Sequence, residues 1–216
     1  MPSFVIIIPA SSQRIYKKAI AMITETHPLD PFLPKNAKIL ILGSFPPPRT
    51  RWSMDFYYPN ITNDFWKMIG LIFFNDDKHF VIKDSKQFDL SAIKHFLEDK
   101  GIALYDAATA IQRGKGNASD LHLKIIEATD IPTLLSLIPH CRTIAVTGEK
   151  SAQTVLAPYP IAAPAIGKSV EIPQLGNGVR LFRMPSTSRA YPIALDKKAA
   201  YYRELFIEVG IIPKSV

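Results

Sequence analysis

Apolar residues in this chain cluster into short unbroken runs, and the segments between them carry helical spacing. Four runs read as strands: Lys38–Leu42, "IALYDA" over 102–107, "RTIAVTG" over 142–148 and "VRLFRM" over 179–184. Between and after them lie helical stretches. One runs from Asn63 to Phe74, and one from Asp89 to Lys100 with Gly101 as its stop. Others cover Asp130–Ile138 with Pro132 in its first turn, "EKSAQTVL" at 149–156, and Ala194–Val209. Residues 11–25 read as a serine-capped helix, "THPLDPFLP" as an extended connector, and "IQRGKGNASD" as a polar loop. "PSFVIIIPA" near the start reads as an edge strand or an appended tail.

Apolar strands alternating with helices predict an α/β fold. The expected form is a three-layer α/β/α sandwich around a mostly parallel sheet of about four strands. No repeat or low-complexity linker divides residues 1–216, so one domain is expected, with 1–30 as an N-terminal extension and helix. Ligands of such sheets bind beyond the carboxyl ends of the strands. The loops there are "GSFPPP", "YDAAT", "VTGEK" and "MPSTSRAY", all rich in small polar groups.

Charge and cysteine content narrow the chemistry. With 26 Lys and Arg against 19 Asp and Glu, the net charge is +7, a moderate bias that suits a polyanion. Cys141 is the single cysteine, which excludes a disulfide framework and a four-cysteine cluster and suits a reducing, cytoplasmic setting. The five histidines show no metal spacing, so no metal is expected. No apolar stretch is long enough for a bilayer.

The richest segment is "GSFPPPRTRWSMDFYYPNITNDFW", Gly43 to Trp66. Gly43 and Ser44 can bring backbone close to a ligand, or simply make a tight strand exit. Pro46, Pro47 and Pro48 stiffen the loop beyond that exit. Phe56, Tyr57 and Tyr58 can offer a stacking face or pack beneath the loop. Asn60 and Asn63 are both candidate helix caps, yet both cannot be the same cap. Asp106 can accept from a ligand or cap its own turn. Ser186, Thr187, Ser188 and Arg189 form a hydroxyl-rich, cationic strand exit suited to phosphate.

"ILILGSFP", "YYPNITNDFW" and "MPSTS" together resemble the uracil-DNA glycosylase superfamily, closest to its DNA-deoxyinosine (hypoxanthine) branch. The alignment runs from about Pro31 to the last helix. The resemblance implies a monofunctional DNA glycosylase, acting without cofactor on a deaminated base in DNA, as a monomer. By this carry-over the catalytic amide falls on Asn63, and Asn60, where the branch has His, is the second catalytic candidate. Ser44, Phe45, Tyr58 and Asp106 bind the base, Tyr58 by stacking and Asp106 by reading its edge. Ser186, Thr187, Ser188 and Arg189 contact DNA, and Arg189 or Tyr191 enters the duplex as a wedge. Phe45 stands where the superfamily places a water-activating Asp or Asn, and Met184 where it places a histidine. A non-catalytic homologue that senses or flips a base is therefore the alternative, and a small-molecule nucleosidase a third reading. Arg49, Arg51, Arg189, Lys197 and Lys198 are the expected phosphate track.

Overall fold

The computed structural model describes residues 24–114 and 123–214. In chain order the strands are β1 (Thr24–Thr26), β2 (Ile39–Gly43), β3 (Ile102–Asp106), β4 (Ala108–Arg113), β5 (Leu123–Ala128), β6 (Thr143–Thr147), β7 (Lys168–Glu171) and β8 (Arg180–Met184). The helices are α1 (Phe65–Phe74), α2 (Leu90–Lys100), α3 (Ile131–Leu137), α4 (Glu149–Leu156) and α5 (Leu195–Glu208).

The central sheet is mostly parallel and flanked by helices. Its order is β3-β2-β6-β8-β7, and only β7 runs antiparallel to its neighbour. The four expected strands are thus its parallel part, and β7 adds a fifth at the edge. Every residue of β2 and β3 is buried. Burial on both faces is why these strands appear as continuous apolar runs rather than as alternating ones. In β7 and β8 exposed positions return, and β7 consists of the weakly apolar "KSVE".

A second, antiparallel sheet was not expected. Its order is β1-β4-β5. It replaces part of the expected polar loop with strand at 111–113, and the end of the expected helix over 11–25 with the strand Thr24–Thr26. The rest of that helix, the run at 2–10 and residues 115–120 of the loop lie outside the described residues. Only Ala107 separates β3 from β4, and its N–H donates to the Gly43 carbonyl. The chain therefore leaves one sheet and enters the other at the carboxyl end of β3. The β4–β5 register shifts near Ala108 and Ala110, an irregularity suited to such a corner.

Helix ends follow local chemistry. Asp89 accepts from Ala92 N–H to open α2, and Asp130 accepts from Thr133 N–H to open α3. Gly101, at φ 66°, closes α2. Among the described residues no helix is long and apolar enough to cross a membrane.

Candidate functional site

The parallel strands end in one row. Register pairs Gly43 with Asp106 across β2 and β3, and Thr147 with Met184 across β6 and β8. Leu42 pairs with Val146, so the β2 and β6 ends are level as well. Beyond that row the exits of β6 and β8 meet: a Cβ on Gly148 would lie 3.6 Å from Ser186 Cβ. Gly43, Asp106 and Ser186 thus lie along one edge of the sheet.

Gly43 is a close-approach glycine. A Cβ there would overlap Asp106 Oδ1, and it would sit 3.7 Å from the Tyr58 hydroxyl oxygen. Asp106 is 7% exposed. Its Oδ2 lies 2.9 Å from Nε2 of His27, while Oδ1 has no hydrogen-bond partner among the described residues. The Asp106 backbone carbonyl accepts from the Thr129 hydroxyl at 2.6 Å. The carboxylate therefore presents one oxygen to the protein and one over the glycine.

Tyr58 takes the left-handed conformation, φ 52°, a costly one for an aromatic residue. Its neighbours hold it there. Its ring stacks on Phe65 at 3.8 Å and 12°, and its hydroxyl lies 3.4 Å from Thr147 Oγ1. The adjacent Tyr57 carbonyl accepts from Trp66 Nε1 at 3.0 Å. Burial lifts the Tyr58 phenol well above its ordinary range, and the negative charge of Asp106 adds to this. The same two causes, in the same order, raise Tyr57 and Tyr105. These phenols remain neutral and able to donate well into alkaline pH.

Both asparagines shape the loop. Asn60 Oδ1 accepts from the backbone and the hydroxyl of Thr62, each at 2.9 Å. Asn63 Oδ1 accepts from Phe65 N–H at 2.9 Å, at the entry of α1. Phe45 packs on the small second-sheet cluster of Ala108, Ile111 and Leu123, and it meets His27 edge-on at 5.3 Å. Ser44 is half-buried beside it. The proline segment is braced by Arg113, whose Nη2 donates to the Pro46 carbonyl at 2.8 Å and whose Nε donates to Glu25.

The β8 exit is anchored from below. Thr187 is buried and its carbonyl accepts from Asp64 N–H. Tyr202 donates to the Pro185 carbonyl at 3.0 Å. Ser188 and Arg189 are exposed, and Ser186 is half-buried. Lys198 corrects the expected phosphate track. It is fully buried and pairs with Asp64 at 2.8 Å. Arg49 pairs with Asp55 and lies over the Trp52 ring, whereas Arg51 and Lys197 are exposed.

His27 is the residue that sequence reasoning missed, having set all five histidines aside. Its N–H donates to the Thr109 carbonyl, so it continues the β1–β4 pairing across the end of β3. Its side chain is 2% exposed. Among the described residues no group of three or more His, Cys, Asp or Glu is arranged to hold a metal. A hollow of about 400 Å³ lies elsewhere, lined chiefly by Phe73, Phe74, His79, Phe80, His95 and Phe96. It shares no residue with the strand-end row. We place the candidate site at the row rather than there, because Asp106 Oδ1 has no hydrogen-bond partner among the described residues and the strand exits converge.

A mostly parallel α/β sheet with polar groups gathered at its carboxyl edge defines the class. No protein-family model matches the chain, and no curated protein matches it significantly. Solved structures do match. One is the solution NMR structure of a "putative Uracil DNA glycosylase" from Methanosarcina acetivorans. It is 21% identical with TM-score 0.58, and the match covers 87% of this chain and 99% of that one. The two share a fold.

Proposed function

We propose that this chain is a DNA glycosylase that hydrolyses the N-glycosidic bond of a deaminated base, uracil or hypoxanthine, without a cofactor. The observation that carries the reading is the open Asp106 oxygen over Gly43, at the strand-end row of a fold shared with a glycosylase-named structure. Fold alone does not give function, so the reading rests on that site.

Extruding the base costs a few kcal/mol, less where pairing is already faulty. Tyr58, backed by Phe65, takes the base on its other face. Asp106 Oδ1 accepts the ring N–H of uracil or hypoxanthine. Cleavage passes through an oxocarbenium-like sugar, and the base departs with the bonding electrons. Hydrogen bonds to the departing base are what stabilise that negative charge. Asn63 orients the attacking water. Its carbonyl oxygen is already held by Phe65 N–H and has a lone pair left, whereas Asn60 Oδ1 already accepts twice. Ser186, Ser188 and Arg189 hold the DNA backbone, with Thr187 anchoring their loop and Ser44 and Phe45 forming the pocket wall.

The test is direct. Oligonucleotides bearing uracil, deoxyinosine, deoxyxanthosine or a G·T mismatch are incubated with the protein, and abasic sites are cleaved with alkali. Strand scission at uracil or deoxyinosine is expected. The second reading, a base-sensing protein without activity, is favoured by the apolar Phe45 and Met184. It requires salt-sensitive DNA binding with no scission on any of the four substrates.

A further inference from the structure

We infer that His27 is a positioning residue that fixes Asp106 as a single oriented acceptor, and thereby selects bases that carry a ring N–H on the edge they present. The inference rests on the glycosylase reading and deepens it.

His27 is held on every side. Its ring packs against Tyr105 at 4.6 Å, Phe45 at 5.3 Å and Tyr57 at 6.2 Å. Nδ1 lies 2.8 Å from the Leu29 carbonyl oxygen and 3.2 Å from the Leu29 nitrogen. A carboxylate only accepts, so Nε2 carries the proton that Asp106 Oδ2 accepts, and in the neutral ring Nδ1 is then the acceptor of the Leu29 amide rather than a donor to its carbonyl. With Oδ2 committed, the carboxyl plane is set and only Oδ1 faces the glycine.

The consequence is chemical. Uracil carries a proton at N3 and hypoxanthine at N1. Cytosine and adenine carry lone pairs there, and a carboxylate oxygen repels a lone pair. A freely turning carboxylate can instead follow the exocyclic amino group, which it also accepts from. Pinning it removes that escape. A site built around one hydrogen bond rejects analogues that lack the donor. Thymine and guanine share the ring N–H, so their exclusion falls to the shape of the pocket.

The experiment measures single-turnover excision from two duplexes, one with uracil and one with 3-deazauracil, in which C–H replaces the ring N–H. Wild type is compared with His27→Asn and His27→Gln. Asparagine keeps a polar atom near the Nδ1 position, beside Leu29, and loses the reach to Asp106. Glutamine keeps a donor near the Nε2 position. The preference for uracil over 3-deazauracil should fall roughly 10-fold or more in His27→Asn, the scale of one charge-assisted hydrogen bond, and stay within about 3-fold of wild type in His27→Gln. If His27→Asn does not fold, His27→Phe, which keeps the ring packing, takes its place with the same expectation. A folded, active His27→Asn or His27→Phe with wild-type preference overturns the inference and leaves the glycosylase reading intact. A wild type that excises neither uracil nor hypoxanthine overturns both.

Discussion

The ammonium of Lys198 lies 2.8 Å from Asp64 Oδ2 and 2.8 Å from the Ser188 carbonyl oxygen, sealed from solvent. One buried cation thus ties the entry of α1 to the exit of β8, the two segments that carry the proposed water-orienting amide and the proposed phosphate contacts. Removing one partner of a buried pair leaves the other uncompensated. Lys198→Met should therefore cost about 3 kcal/mol or more. Asp64→Asn combined with Lys198→Met should cost less than the two single changes added together. Urea unfolding of the three variants measures both quantities.

Asn63 has two separable effects. As the acceptor for Phe65 N–H it should contribute about 1 kcal/mol to stability. As the proposed water-orienting amide it should contribute roughly 10²-fold to turnover. Asn63→Ala should lose both, while DNA affinity stays nearly unchanged. Asn60→Ala should lose only stability, because its carbonyl oxygen already accepts twice. Melting temperature and single-turnover rate, measured on the same preparations, separate the two effects.

Arg189 is exposed, with no hydrogen bond or ion pair among the described residues. If it meets a phosphate, DNA affinity should fall as salt rises. Arg189→Ala should then reduce the slope of log affinity against log salt by about one. An unchanged slope removes Arg189 from the phosphate contacts.

Cys141 gives a pH prediction. Burial pushes its thiol from 9.0 up to about 11. A folded-state value raised above the unfolded one gives stability that is complete below about pH 9 and is lost as pH rises through about 11. The melting temperature should fall over that window. Cys141→Ala should show a shallower fall, keeping only the part due to the buried tyrosines. Equal slopes would mean that the thiol does not contribute.

The parallel sheet was legible because burial on both faces leaves unbroken apolar runs such as "ILIL" in β2. The second sheet was not. β1 is the polar tripeptide Thr24–Thr26 and β4 is rich in small residues, so pairing rather than local pattern makes them strands. His27 was hidden for the same reason. Its partner is 79 positions away, and the β1–β4 pairing alone brings it there. No local signal marks it. Lys198, by contrast, was readable. Tyr202, Leu205 and Phe206 are buried and lie beyond it at helical spacing, which puts Lys198 on the inner face of α5. Within the candidate site, strand ends pointed to Gly43, Asp106 and Ser186, whereas Tyr58 entered through the family resemblance. Which Asp106 oxygen stays open depended on His27, and so on the sheet that the sequence concealed.

The most direct measurement is single-turnover base excision by wild type and by Gly43→Ala, on duplexes carrying uracil or deoxyinosine. A methyl group on Gly43 would collide with the Asp106 Oδ1 that His27 holds in place, an oxygen that makes no hydrogen bond among the described residues. Wild type should release at least one of the two bases. Gly43→Ala should do so at least roughly 10-fold more slowly, the scale of one displaced polar contact, with its DNA affinity kept. No release by wild type, or release undiminished in folded Gly43→Ala, would contradict a glycosylase site at these strand ends.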